Sequence, residues 1–116
     1  MVSKFIINGK VLEELIVPHQ ERTGEEGFYS IPGILSYDGK VVQFLACKNM
    51  GLRMAKVKPI TSEKALFRAK DFQSVFRLRR DQDYIVVIGS DSIKIYHTPD
   101  RDYDKVLVEI PGVNLL

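Results

Sequence analysis

The dipeptide Asp38-Gly39 lies between Ile34-Leu35 and the run Val41-Val42-Gln43-Phe44-Leu45-Ala46-Cys47. Few local signals constrain a chain more, because an Asp-Gly turn supplies the positive φ that joins two antiparallel strands, and the flanking apolar runs predict a hairpin. Its second strand is apolar on both faces toward the end, which places it inside a sheet. Asn8-Gly9, between Lys4-Phe5-Ile6-Ile7 and Val11-Leu12, carries the same kind of signal. Val11 to Val17 also reads as a short helix, with Leu12, Leu15 and Ile16 on one face and Pro18 as its limit. Both readings stand at this level.

Further along, Lys48 to Pro59 reads as a loop or an extended edge. Thr61-Ser62 offers an N-cap to a helix over residues 63–80, in which Ala65, Ala69, Phe72 and Phe76 recur at helical spacing and Leu66 and Val75 widen the stripe. Asp81-Gln82-Asp83 ends it. Tyr84 to Ile88 follows as a buried strand, Gly89 to Ser92 turns the chain into the half-exposed strand Ile93 to Tyr96, and Lys105 to Ile110 adds a last strand. This order predicts an α/β fold, a mixed central sheet with flanking helices. With 116 residues, 45% of them hydrophobic, the chain has material for one core and reads as a single domain over residues 1–116.

Apolar stretches such as Tyr84–Ile88 fall far short of the roughly 20 residues a membrane-spanning helix needs. The apolar N-terminal stretch stops at Asn8-Gly9, too short for a secretory signal, and Cys47 has no second cysteine to pair with. A cytoplasmic protein is expected. His19 and His97 lack metal-ligand spacing, no serine lies in a G-x-S-x-G context, and Asp100-Arg101-Asp102-Tyr103-Asp104 lacks the glycine and glutamate of a calcium loop. No complete catalytic set is present in the sequence.

Net charge is only +2, but its distribution is uneven. Basic residues concentrate between Lys40 and Arg80, while the ends are acidic or balanced. On a helix over 63–80, Lys64, Arg68, Lys70, Arg77, Arg79 and Arg80 form the polar face, and Lys48, Arg53, Lys56 and Lys58 lie just upstream. Such a surface suits nucleic-acid phosphates, each contact releasing counterions. The plainer reading is a solvated helix face whose C-terminal arginines suit the helix dipole.

Gly33-Ile34-Leu35-Ser36-Tyr37-Asp38-Gly39-Lys40 through Phe44-Leu45-Ala46-Cys47-Lys48 resembles the catalytic hairpin of the PD-(D/E)xK nuclease superfamily, in the layout of archaeal Holliday-junction resolvases. The following order, a basic helix from Leu66 to Arg80 and then strands Tyr84–Ile88 and Ile93–Tyr96, is similar as well. Gly9 through Glu13-Glu14 to Gly24 resembles the family's first helix with its acidic residue. Two departures stand out: Gly33 occupies the aspartate position and Ala46 the glutamate position of the metal site.

The resemblance therefore implies a restriction-endonuclease-like scaffold that binds without cutting, with Glu13 and Lys48 as catalytic remnants. Magnesium would enter only with residual nuclease activity, and no other cofactor is implied. It further implies a homodimer that binds duplex or branched DNA through the basic residues named above. The alternative is a structural or protein-interaction subunit of a nuclease or RNA-processing complex.

Overall fold

In Ser3–Asn8 (β1) every second residue, Ser3, Phe5 and Ile7, is buried, and the same period-two alternation recurs through most of the chain. The computed structural model describes residues 2–16, 21–22, 29–46, 51–98 and 105–113, with the backbone alone at 21–22 and 29–30. After β1 come a helix, Gly9–Ile16 (α1), and the short strands Glu21–Arg22 (β2) and Tyr29–Ser30 (β3). Gly33–Tyr37 (β4), Val41–Ala46 (β5), Leu52–Lys56 (β6), Lys58–Pro59 (β7) and Ala65–Ala69 (β8) follow. A 3-10 turn at Gln73–Arg77 then leads to Asp83–Ile88 (β9), Ser92–His97 (β10) and Val108–Pro111 (β11).

The strands build a five-stranded sheet in the order β11-β10-β9-β1-β7, a four-stranded sheet in the order β6-β5-β4-β8, and the small pair β2-β3. All of these pairings are antiparallel. The expected α/β fold, a restriction-endonuclease-like mixed central sheet with flanking helices, is thus corrected to a mostly β fold of antiparallel sheets with one α-helix among the described residues. Leu52 to Pro59 is one stretch of chain that changes sheet at Val57, so β6 edges one sheet and β7 the other. Across the opposite margin, the Val113 N–H donates to the Arg68 carbonyl at 2.9 Å.

The helix expected over 63–80 does not form. Its helical stripe would have buried Leu66 and Phe76 and left Phe67 on the polar side. In the structure Phe67 is 4% exposed, whereas Leu66 is 62% and Phe76 44% exposed. Ala65, Phe67 and Ala69 lie opposite Tyr37, Leu35 and Gly33 of β4, so strand pairing with an existing hairpin buries the large aromatic that a helix would have left out. Asp71 then turns the chain, accepting hydrogen bonds from the Ile31 and Gln73 N–H groups at 3.0 and 2.9 Å.

The Asn8-Gly9 ambiguity resolves to the helix. The Asn8 side-chain oxygen accepts from the Lys10 N–H at 3.0 Å, acting as a helix cap instead of a hairpin turn. Leu12, Leu15 and Ile16 of α1 are buried. They join one core with Phe5, Tyr37, Phe44, Phe72, Tyr84, Ile93, Ile95 and Ile110. Within it Phe44 and Phe72 meet edge to face at 5.1 Å, a geometry that aromatic quadrupoles favour.

Candidate binding surface

Asp38 and Gly39 fix the four-stranded sheet at its central turn. The Asp38 carboxylate accepts from the Lys40 and Val41 N–H groups at 2.9 and 2.8 Å. Those backbone hydrogen bonds, with Lys64 nearby, hold its pKa below the ordinary 3.8. Behind the turn, Tyr37 donates its hydroxyl hydrogen to the Thr61 carbonyl at 2.6 Å. Burial, and then the Asp38 charge, push the Tyr37 pKa above 10.0.

With Leu35, Tyr37, Val42 and Phe44 facing the core, alternation turns Ile34, Ser36, Gln43 and Leu45 outward. The register extends these into two rows across the sheet. One runs Leu66, Ser36, Gln43, Met54 and the other Arg68, Ile34, Leu45, Leu52. Leu66, Met54 and Leu52 are 62%, 60% and 55% exposed, the three highest values among the exposed large hydrophobic residues described. At one end, Ser36, Asp38, Val41, Gln43, Lys64 and Leu66 line a depression of about 370 Å³. Lys56 lies opposite Val41 at the same end, and Arg68 occupies the far end of β8.

The residues expected to form a basic patch divide among several places. Lys56, Lys64 and Arg68 share the outer side of the four-stranded sheet. Arg53, opposite Phe44, lines a depression at the β6 margin with Val11, Glu14, Leu15 and Met54, so Met54 borders both this depression and the outer face. Lys58 lies opposite Ile6 on the five-stranded sheet. Lys70 borders a hollow with Asp71, Ser74 and Pro111. Arg77 ends the 3-10 turn, and Arg79 pairs with Asp81 at 3.3 Å. Arg80 reaches Glu13 at 3.4 Å and Glu14 at 3.8 Å. Lys48, Cys47 and His19 lie outside the described residues, as does the segment from Asp100 to Asp104.

Gly33 and Ala46, the positions where the nuclease resemblance placed two metal-binding carboxylates, are direct cross-strand partners facing the core. Ala46 is 0% exposed. A Cβ on Gly33 would lie 2.3 Å from Cζ of Phe44, so the packed ring excludes any larger side chain unless the core shifts. Among the described residues no group of three or more His, Cys, Asp or Glu could hold a metal ion. No described helix is long and apolar enough to cross a membrane.

The sequence reading missed the aliphatic side of this surface. Its signal was the alternation Leu52-x-Met54-x-Lys56 and Lys64-x-Leu66-x-Arg68, hidden by reading the first as a loop or edge and the second as helix. The chain matches no family model, no curated protein and no solved structure.

Proposed function

We propose that this protein is a binding module that holds a partner protein on the outer face of its four-stranded sheet. The observation that carries the reading is the row of outward aliphatics across the sheet. Single exposed apolar residues are ordinary on any surface, but Ile34, Leu45 and Leu52 are successive partners in one registered row, with Met54 two residues from Leu52 on β6, while Leu66 stands on β8 beyond Ser36 and Gln43 in the other row. Covering them removes apolar area from water, at about 25 cal/mol for each Å² buried.

Nucleic-acid binding is the second reading, supported by Lys56, Lys64 and Arg68 on the same face. The rows across that face contain no aromatic side chain, so bases would find no stacking platform there. Three phosphate contacts would give a log K against log salt slope of only about −2.7 for duplex DNA. That is a weak, nonspecific footprint. The aliphatic rows therefore favour the protein partner.

The test places a photo-crosslinking residue at Met54 or Leu66, with Lys94 on the five-stranded sheet as control, and irradiates cells producing the full chain. A discrete protein adduct from positions 54 and 66, absent at 94 and lost when Leu52→Ser is added to the folded protein, is the expected result. Adducts to nucleic acid at the same positions would transfer the conclusion to the second reading. No position-specific adduct at either site would overturn both.

A further inference from the structure

Resting on that binding-face reading, we infer that the occupant is an acidic, leucine-bearing segment of another protein, and not a second copy of this chain. Size is the first reason. Four strands spaced about 4.8 Å apart and about five residues long present a footprint of roughly 320 Å². A stable interface between folded proteins takes about 800 Å² from each partner. The face is the size of a peptide segment.

Charge is the second reason. Arg68 stands at one end of the β8 outward row and Lys64 at the other, about 13 Å apart at strand rise, with Leu66 between them. Lys56 adds a third cation beside Val41. The acid within this frame, Asp38, already accepts two hydrogen bonds from its own turn and lies beside Lys64. Two copies packed face to face about a two-fold axis would set three cations and the engaged Asp38 carboxylate, a net +2 frame, against another of the same sign. A segment with leucines between acidic residues about 13 Å apart meets the same surface with opposite charge at both ends.

The test uses two synthetic twelve-residue peptides, one carrying leucines between flanking glutamates and the other with lysines in place of the glutamates. Each is titrated into the isotopically labelled full chain at low and high salt, while backbone amide shifts are followed and the oligomeric state is monitored by sedimentation. The acidic peptide is expected to bind about tenfold more tightly, with shifts centred on Ile34, Ser36, Gln43 and Met54, and the gap should narrow as salt rises. The double substitution Lys56→Glu with Arg68→Glu, both at exposed positions, should reverse the preference.

Equal binding of both peptides at this face would overturn the acidic partner and leave the face reading intact. Self-association abolished by Leu66→Asp would replace the segment with a second copy. Shifts from neither peptide would count against the face itself, and the inference would fall with it.

Discussion

Gly39 has a φ of +98°, and a Cβ there would lie 2.7 Å from the Ser62 carbonyl oxygen. Gly39→Ala therefore meets both an unfavourable backbone region and a backbone collision, and should lower stability by about 1–3 kcal/mol in a urea titration. Asp38 beside it titrates in a predictable direction. Its folded pKa is depressed by backbone hydrogen bonds, so its contribution is complete above the ordinary 3.8 and fades as pH falls below that value. The melting-temperature difference between the wild type and Asp38→Asn should accordingly shrink on acidification from about pH 6 to about pH 2. This turn was legible in the sequence because Asp-Gly has one dominant use between strands. Asn8-Gly9 was not, because Asn serves equally as a turn residue and as a helix cap, and only the chain's later return at Gln82, whose carbonyl accepts from the Gly9 N–H at 2.8 Å, shows which use applies.

At the scale of elements, residues 63–80 show how two periods can share one sequence. Ala65, Ala69, Phe72 and Phe76 fit a helix, while Ala65, Phe67 and Ala69 fit a strand, and the choice rests on Phe67. Its burial opposite Leu35 is a long-range gain that no window within the segment contains. Phe67→Ala should cost about 3–5 kcal/mol, and Leu66→Ala less than about 0.5 kcal/mol. A helix with the expected stripe would give the reverse order, so two denaturation curves separate the alternatives. Strands β5, β9, β10 and β11 were legible since their alternation or apolar runs have no competing helical pattern. The edge position of β6 was open to sequence as well, but its outward aliphatics carried no meaning until the register aligned them with β8 through two intervening strands.

For the whole molecule, the fold scatters what the sequence concentrates. Of the basic residues between Arg53 and Arg80, three meet on the candidate face, whereas Arg79 and Arg80 are matched to Asp81, Glu13 and Glu14. Neutralising Lys56, Lys64 and Arg68 together should flatten the salt slope of any residual nucleic-acid binding by up to about 2.7, while neutralising Arg77, Arg79 and Arg80 should leave it nearly unchanged. Charge runs in a sequence report proximity along the chain, and in a β fold successive side chains leave on opposite faces while successive strands enter different sheets. The candidate face was legible only in its cations for that reason.

The chain crossing at Val57 makes Leu52–Pro59 a margin of both sheets at once, and the Val57 N–H is itself tied to the Lys40 carbonyl at 3.2 Å. Releasing that one stretch would strip β5 and β1 of a neighbour together. Opening from this side is therefore expected to couple the two sheets, and the amides of Phe44 and Ile6 should exchange through a common opening event in native-state hydrogen exchange.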